Sequence, residues 1–383
     1  MDIETIRYLL SPEGATLLDT AASLSGSLLQ RLTTLRKHYP AHLSSAAVET
    51  LELRKRAEKK FARAHQMFFT REALEQSSGQ VVSGYRAERY AEGSCVLDIA
   101  CGIGGDTIEL AKRCRVVAVD SDPVRIIMAQ HNASVYGVSG NVRFLCLDAE
   151  SIDLSADAAF IDPSRRVEGR RTINLLEISP SVNFIHRLHN TIPNTGVKLS
   201  PMMDDANLQS LGGGLEFISE SGECKEAVVW YGALCRAPLS ATSLPSRATI
   251  SPHGDVEAPI RPPGSFIYEP DPCIIRAHLV DELATGLGAW KIDPSIAYLS
   301  SNARVENPLW RGYAVEDSLP FNVKHLARRL RELDICRVIV KKRGVPFEPA
   351  QIEKRLSGAG TREAVLILTR IDKRPWAFIC TPI

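Results

Sequence analysis

Four aspartates each follow a short apolar stretch of the sequence, and their placement points to recognition of a polar ligand. Each stands at or near the end of a run that is typical of a buried strand. The four residues are Asp98, Asp120, Asp148 and Asp162. In an open sheet of parallel strands, ligands bind beyond the carboxyl ends of the strands. We therefore expect the four carboxylates at one edge of a sheet, where they can accept hydrogen bonds from hydroxyl and amino groups.

A glycine-rich turn follows the first of these strands. The segment VLDIACGIGGDTIELA, residues 96–111, predicts a strand, then a turn, then a helix. We expect Asp106 or Thr107 to cap this helix. Because glycine has no Cβ atom, a ligand can lie directly against the backbone there, at the positive end of the helix.

The spacing of the acids helps to choose between two cofactors that use such a turn, NAD and S-adenosylmethionine. Asp120 follows the turn at a spacing at which a carboxylate can accept both hydroxyls of a ribose. Asp148 can accept from an adenine amino group, and the backbone amide of Ala149 can reach a ring nitrogen. Thr107 replaces the third glycine of the dinucleotide-binding pattern. With the acid in the first strand motif and a predicted hairpin at the sheet edge, these features favour S-adenosylmethionine.

Each acid also has a purely structural interpretation. Asp98 can order the adjacent loop, and Asp120 and Asp148 can be ordinary turn residues at strand ends. Asp162 precedes a proline, and Asp-Pro is a common way to begin a turn. The sequence leaves these alternatives open, although the joint placement of Asp120 and Asp148 favours ligand binding.

The elements that carry these residues predict an α/β fold. From about residue 93 to 235, apolar runs joined at first by helices indicate a parallel sheet covered on both faces. We assign strands to CVLDIA, RVVAVD, VRFLCLD, AAFID, VKLS, LEFIS and AVVWYG, the last two as an antiparallel hairpin. The expected fold is a Rossmann-like, doubly wound, seven-stranded sheet with a helical N-terminal domain and an α+β C-terminal domain.

Three domains are expected along the 383 residues. Residues 1–90 have apolar positions at helical spacing, and LELRKRAEKKFARAH (51–65) predicts a basic amphipathic helix. Residues 91–262 hold the sheet and end in a stretch rich in Pro, Ser and Gly. Residues 263–383 predict an α+β domain, with DPCIIRAHLVDELATGL as one helix.

Composition narrows the functional classes. A net charge of +1 and a pI of about 7.6 argue against a protein that is basic overall, although KKRG (341–344) is a local basic run. Nine cysteines without a CxxC pair or zinc-type spacing predict reduced thiols and no metal site. With no signal pattern and no long apolar run, we expect a cytoplasmic protein without a membrane partner. The sequence does not indicate an oligomeric state.

Within residues 93–235 the chain resembles the class I S-adenosylmethionine-dependent methyltransferases. CGIGGDTIELA followed by VVAVDSDPVRIIMAQHNASVYGV resembles the trimethylguanosine-synthase type of RNA methyltransferase, most specifically in HNASVYGV (131–138). The resemblance implies that Asp98 and the glycine turn hold the methionine part of the cofactor, Asp120 the ribose and Asp148 the adenine. The candidate cofactor-binding residues are Asp98, Ala100, Cys101, Gly102, Gly104, Gly105, Asp120, Ser121, Asp148 and Ala149.

Nearly the whole chain is similar to bacterial methyltransferases that carry a C-terminal THUMP-like domain. The motifs that carry this wider resemblance occur in order and are FFTREALEQSSGQVVSGYRAERY, IDPSRR, YEPDPCIIRAHLVDELA and VIVKKRG. The resemblance implies methyl transfer, but it does not supply the acceptor.

The acceptor site is expected just after the fourth predicted strand. Enzymes that methylate exocyclic amines often carry Asn or Asp, two prolines and an aromatic residue, whereas this chain has Asp162-Pro163-Ser164-Arg165. Without the second proline and the aromatic residue, any stacking on a base has to come from elsewhere. We predict that Asp162, Pro163 and Arg165 are the catalytic residues. Asp162 would orient the acceptor, and Arg165 would hold a phosphate or carboxylate or else form a structural ion pair.

RNA is the expected acceptor, with a base nitrogen favoured, because of the trimethylguanosine-synthase-like stretch and the basic run. The fifth predicted strand ends in Leu199-Ser200-Pro201-Met202 with no cysteine, which argues against methylation of a pyrimidine carbon through a cysteine adduct. Two alternatives stay open. One is methyl transfer to a small molecule or protein, and the other is a non-catalytic module that binds S-adenosylmethionine and RNA.

Overall fold

The structure is a computed structural model that describes residues 1–151, 155–164, 166–167, 170–171 and 174–383. These residues form two compact units. The first unit comprises residues 1–215 and 226–238, and the second comprises residues 216–225 and 239–383.

The first unit contains most of the helices of the chain. They are α1 (Ile3–Leu9), α2 (Pro12–Ser23), α3 (Leu28–Leu35), α4 (Ala41–Ala57), α5 (Arg71–Gln76), α6 (Gln80–Ala87), α7 (Gly105–Ala111), α8 (Pro123–Val135), α9 (Val182–Thr191) and α10 (Asp205–Ser210). Its strands are β1 (Cys95–Ile99), β2 (Arg115–Asp120), β3 (Val142–Cys146), β4 (Ala158–Ile161), β5 (Arg166–Val167), β6 (Arg170–Arg171) and β7 (Thr195–Leu199). Two further strands, β8 (Gly214–Glu220) and β9 (Glu223–Trp230), each cross the boundary between the units.

The sheet of the first unit has the strand order β3-β2-β1-β4-β7-β9. Neighbouring strands are parallel except β7 and β9, which are antiparallel. The chain order reverses between β1 and β4, so the carboxyl ends of these two strands flank the crevice where open α/β sheets bind ligands. The predicted α/β fold is therefore confirmed, and each of the seven predicted strands is present as β1 to β4 and β7 to β9.

The N-terminal helices share a continuous apolar core with α7 and α8 through Ile103, Ile108 and Met128. Phe68 and Phe69 are buried in this core, so they pack inside the unit. The predicted helix over 51–65 is wrong beyond Ala57, where α4 ends. The chain turns there and buries Phe61 in the same core.

The second unit is built around a mixed seven-stranded sheet. Its helices are α11 (Pro272–Arg276), α12 (Val280–Gly286), α13 (Val323–Glu332) and α14 (Pro349–Leu356). Its own strands are β10 (Leu239–Leu244), β11 (Ala248–Ile250), β12 (Phe266–Pro270), β13 (Trp290–Lys291), β14 (Leu299–Ser301), β15 (Trp310–Pro320), β16 (Ile335–Lys342), β17 (Arg362–Ile371) and β18 (Arg374–Pro382). The sheet order is β13-β14-β12-β15-β18-β17-β16, and only β16 and β17 pair in parallel.

One helix prediction in this unit is wrong. The segment predicted as a single helix forms α11 and α12, which are separated at His278 by a left-handed backbone conformation with φ of 58°. The N–H of Leu279 turns back to donate to the carbonyl of Ile274, which ends α11.

Among the described residues, no helix is long and apolar enough to cross a bilayer. Within the same ranges, no group of three or more His, Cys, Asp or Glu side chains is arranged to hold a metal ion. None of the nine cysteines, all of which lie in the described ranges, forms a disulfide.

Candidate active site

The glycine turn leaves β1 through three residues in left-handed conformations. Ala100, Gly102 and Gly104 have φ values of 58°, 57° and 84°. A left-handed backbone is ordinary for glycine but costs an alanine about 1 kcal/mol or more, and such strain concentrates at functional sites. A Cβ atom added to Gly102 would meet no atom within 4 Å, so the backbone there borders open space.

The helix after this turn begins without a side-chain cap, so the predicted capping role of Asp106 or Thr107 is wrong. Gly104 occupies the N-cap position of α7. The Thr107 hydroxyl instead donates to Asp98, and the Asp106 carboxylate accepts from Arg86. Both side chains are buried in contacts with other elements and cannot fold back onto the start of their own helix.

A cavity beside the turn brings together most of the predicted site from β1 and β4. Its wall includes seven of the predicted residues, namely Asp98, Ala100, Cys101, Gly102, Gly105, Asp162 and Pro163. Other predicted residues do not line it, namely Gly104, Asp120, Ser121, Asp148 and Ala149. Arg165 lies outside the described residues, so its predicted role stays a prediction.

Asp120 at the end of β2 ties two loops of the site together. One carboxylate oxygen accepts from the N–H of Gly102 at 2.9 Å, and the other accepts from the N–H of Asp122 at 2.9 Å. Each oxygen keeps a second lone pair, so the predicted contact with a ribose is compatible with these bonds. Asp148 follows β3 on the neighbouring side and is exposed, and its carboxylate accepts from the N–H of Glu150 at 3.0 Å.

Asp98 has one carboxylate oxygen without a partner. The side chain is 1% exposed, and Oδ2 accepts from the Thr107 hydroxyl. Oδ1 is buried and receives no hydrogen bond from the described residues. Burial, together with the nearby charge of Asp106, raises the pKa of Asp98 well above its ordinary value. A buried acceptor without a donor is rare in native proteins, and here it borders the cavity.

The cavity wall belongs to a buried cluster of charges that the sequence did not reveal. Arg86 of α6 is 1% exposed and pairs with both Asp106 and Glu226. Burial alone would lower the pKa of Arg86, but the two carboxylates together keep it above its ordinary value. The guanidinium also lies 4.8 Å from the ring centroid of Phe160.

Lys198 is a second buried cation, and it contacts Asp162, the residue predicted to orient the methyl acceptor. Its Nζ lies 2.5 Å from Oδ2 of Asp162 and also donates to the carbonyl of Gln76 at 3.3 Å. Lys198 was not predicted as a site residue, although a lysine within an apolar strand indicates a buried charge that needs a partner. Lysine is almost never fully buried unless it is paired.

The balance of acidic and basic side chains around the cavity favours a cationic ligand. Within the described residues, the acids Asp98, Asp106, Asp162 and Glu226 lie near two buried cations, Arg86 and Lys198. The partly buried Arg125 also lines the cavity. A ligand that brings an ammonium group would supply both positive charge and a donor for the unpartnered oxygen of Asp98.

Residues before the sheet also line the cavity and were missed. Ala73, Gln76 and Ser77 belong to α5 and the turn after it. The side chain of buried Asn132 anchors this region, because it exchanges hydrogen bonds of 2.9 and 3.0 Å with the backbone of Phe68 and donates to the Ile103 carbonyl at 3.0 Å. Asn132 lies in the HNASVYGV stretch and thus links the N-terminal segment to the glycine turn.

Cys101 is the cysteine in the cavity wall, and its environment does not favour nucleophilic chemistry. Burial, and secondarily the carboxylate of Asp98, raise the pKa of this thiol well above its ordinary value. The thiolate is the reactive form of cysteine, so this thiol stays protonated at neutral pH.

Comparison with known proteins places this site in a family. The profile of the RNA cap guanine-N2 methyltransferases matches residues 93–186, a THUMP domain-like profile matches residues 310–382, and a domain of unknown function matches residues 2–57. An uncharacterized S-adenosylmethionine-dependent methyltransferase of Mycobacterium tuberculosis is 33% identical over 354 residues, which cover 88% of this chain and 96% of the relative.

Two more distant similarities agree with this. Trimethylguanosine synthase of Schizosaccharomyces pombe is 39% identical over 57 residues, covering 15% of this chain and 24% of that protein. A crystallised protein of Porphyromonas gingivalis W83, provisionally named a methyltransferase, has the same fold, with a TM-score of 0.78, 21% identity and coverage of 96% of this chain and 97% of its own.

The fold and the cavity define an α/β enzyme that binds its ligand at the carboxyl ends of parallel strands. The chain belongs to the S-adenosylmethionine-dependent methyltransferases and carries a THUMP-like C-terminal region. The site fits this cofactor, because S-adenosylmethionine carries an ammonium group that can donate to Asp98 Oδ1 and a positive sulfonium that suits an excess of carboxylates.

Proposed function

We propose that this protein transfers a methyl group from S-adenosylmethionine to a base nitrogen of RNA. The observation that carries the proposal is the cavity, which combines the unpartnered oxygen of Asp98 beside an open glycine turn with the carboxylate of Asp162. The cofactor supplies an electrophilic methyl group, and the residues of the chain position the acceptor and take up its proton.

We assign the individual roles as the resemblance to the methyltransferases implies. Asp98 holds the cofactor's ammonium group, and the backbone from Ala100 to Gly105 lies along its methionine part. Asp120 accepts from the ribose hydroxyls, with Ser121 beside it. Asp148 and the amide of Ala149 contact the adenine.

On the acceptor side, Asp162 accepts a hydrogen bond from the nitrogen that is methylated, and the carbonyl of Pro163 supports the same group. Arg165 would neutralise a phosphate of the substrate. The assignments of Asp162 and Pro163 rest on the cavity wall and on the position of Asp162 directly after β4. The assignment of Arg165, which lies outside the described residues, rests on the sequence.

RNA is favoured as the acceptor by the family profiles. The match to RNA cap guanine-N2 methyltransferases covers the strands that carry the site, and the THUMP-like match lies in the second unit. We propose a division of labour over three domains, with residues 1–90 as a helical cap, 91–262 for methyl transfer and 263–383 for RNA contact. Nine cysteines that form no disulfide in the described structure support a cytoplasmic location.

The test is transfer from tritium-labelled S-adenosylmethionine into RNA, protein and metabolite fractions of cells that lack the gene. We expect label in RNA, and nuclease digestion should release it as a methylated nucleoside. Asp162→Asn should lower the rate of transfer by roughly 100- to 10,000-fold and leave cofactor binding intact. Label in protein or metabolites alone would refute the RNA assignment, and binding without transfer to any fraction would support the non-catalytic alternative.

A further inference from the structure

We propose that Lys198 is a positioning residue for methyl transfer, which holds Asp162 in the orientation that selects an acceptor with an N–H donor. This inference rests on the proposed function and names a residue and an acceptor class for the same site. Lys198 lies on β7 and Asp162 directly follows β4, and these strands are parallel neighbours that pair Ile161 with Val197.

The contact fixes one end of the carboxylate. Lys198 Nζ is 2.5 Å from Asp162 Oδ2, and the two side chains are 6% and 22% exposed. The backbone N–H of Asp162 also donates to the carbonyl of Ile99 at 3.2 Å, which fixes the start of the side chain. With the backbone and Oδ2 both held, the carboxylate has little freedom to rotate.

The other oxygen is left for the substrate. Within the ranges that the structure describes, no hydrogen bond reaches Oδ1 of Asp162, and the residue lines the cavity. A carboxylate whose charge is compensated by a buried ammonium is an acceptor only, so its partner must donate. An amine or a hydroxyl meets this demand, whereas a carbonyl or an ether oxygen does not, and the base nitrogen of the proposed function is an acceptor of the first kind.

The group-transfer step balances with these residues. The lone pair of the acceptor nitrogen forms the new N–C bond, while the S–C bond breaks and its electron pair stays on sulfur. The N–H proton that becomes acidic passes to Oδ1 of Asp162. Lys198 keeps its proton throughout and stays bonded to Oδ2.

Lys198 also connects the acceptor residue to α5. The same ammonium donates to the carbonyl of Gln76, whose residue lines the cavity. A second lysine, Lys60, donates to the neighbouring carbonyls of Leu74 and Ser77 at 2.7 Å each. The end of α5 is thus held by two ammonium groups, and one of them, Lys198, also contacts Asp162.

A double-mutant cycle tests whether Lys198 acts through Asp162. Transfer is measured with tritium-labelled S-adenosylmethionine and total RNA from cells lacking the gene, for Lys198→Met, Asp162→Asn and the double variant. We expect Lys198→Met to lower kcat by about 100-fold, as a misplaced group does, and to change the cofactor's Kd by less than about threefold. The double variant should be no slower than Asp162→Asn alone.

Lys225→Met is the matched control. Lys225 also forms an ion pair of 2.5 Å, with Glu223, but the side chains are 35% and 73% exposed. This variant should retain wild-type transfer. Wild-type activity in Lys198→Met, or losses that simply multiply in the double variant, would overturn the inference.

A failure of the positioning role of Lys198 and a failure of the RNA assignment give different experimental results. If the wild-type protein labels protein or metabolites and not RNA, the RNA assignment fails and the cycle is run on the labelled fraction. A crystal structure of Lys198→Met with S-adenosylhomocysteine gives a readout that needs no acceptor. Rotation of the Asp162 carboxylate is expected there, and an unmoved carboxylate overturns the positioning role even if no fraction is labelled.

Discussion

The buried carboxylate of Asp98 accepts a hydrogen bond at Oδ2 from the hydroxyl of Thr107, whereas Oδ1 has no partner among the described residues. Asp98 lies in the wall of the cavity. The first oxygen fixes the side chain, and the second stays available for a ligand. An acceptor of this kind weakens the fold, because a buried polar group without a partner costs about 1–3 kcal/mol. The arrangement favours binding at the expense of stability.

Asp98→Asn should therefore separate cofactor affinity from stability. We expect the Kd of S-adenosylmethionine to rise roughly 10- to 100-fold, because a charge-assisted bond is lost. The melting temperature of the cofactor-free protein at pH 8 should rise by roughly 2–4 °C, because the buried charge is gone. Calorimetric titration and thermal denaturation measure both quantities. Asp255→Asn, at an exposed position, should change neither, and a variant that binds normally would refute the role of Asp98.

Proton release should accompany cofactor binding. Burial raises the pKa of Asp98 in the folded, cofactor-free protein well above its ordinary value, so the folded state holds this proton more tightly than the unfolded chain. Its stabilising effect is complete below the unfolded pKa and is lost as pH rises through the folded pKa. An ammonium group reverses the preference and expels the proton.

The release can be measured by titrating S-adenosylmethionine in buffers of different ionisation enthalpy. The binding enthalpy should depend on the buffer in the pH window between the pKa of Asp98 in the complex and its raised pKa in the cofactor-free protein, and the dependence should weaken above that window. Asp98→Asn should remove it. A buffer-independent enthalpy throughout pH 5 to 9 would show that Asp98 is already ionised without the cofactor.

Arg86 should be among the most sensitive positions for stability. Arg86→Met leaves Asp106 and Glu226 buried without their cation, and removal of one partner of a buried pair costs about 3–5 kcal/mol. Urea denaturation measures the change. Adding Glu226→Gln should recover part of the loss, because one of the stranded charges is removed. The exposed pair of Arg337 and Glu363 provides the control, since Arg337→Met should cost less than about 1 kcal/mol.

Periodicity and strand-end chemistry were sufficient to predict the sheet. Apolar runs ending in an aspartate predicted β1 to β4 because hydrophobic patterning records which strands are covered on both faces. Asp98 and Asp162 line one cavity, because the topology brings the ends of β1 and β4 together, and their roles there stay predictions.

The partners of these acids were not predictable from local sequence. Arg86 reaches Glu226 across 140 positions, and Lys198 reaches Asp162 across 36, so no short motif contains either pair. The capping role of Asp106 failed for the same reason, since a distant arginine competes for its carboxylate. The left-handed conformation of Ala100 could not be predicted from the sequence either, because alanine usually avoids this conformation.

Asn132 should prove essential for the shape of the glycine turn. Asn132→Ala removes the hydrogen bonds of this side chain to the N–H and carbonyl of Phe68 and to the carbonyl of Ile103. The free energy of unfolding should fall by about 3 kcal/mol. Cofactor affinity should fall as well, because Ile103 belongs to the turn that lines the cavity. Denaturation and calorimetric titration check the two effects. Gln130→Ala, at an exposed position of the same helix, should leave both unchanged.

The basic run of the second unit should contribute to RNA binding through Lys342. The alternation of side chains along the strand places Lys342 on the opposite side from Lys341 and Arg343. Lys341 and Arg343 both pair with Glu269, at 2.5 and 3.5 Å, whereas Lys342 is exposed. If RNA phosphates contact this strand, Lys342→Glu should weaken binding and lower the slope of log affinity against log salt by about 1. Fluorescence anisotropy of a labelled single-stranded RNA at several potassium chloride concentrations measures the slope. Lys373→Glu makes the same change of charge at an exposed turn of the same unit and should have a smaller effect. Equal effects of the two variants would indicate that only net charge matters, and no effect of either would exclude this strand from the RNA surface.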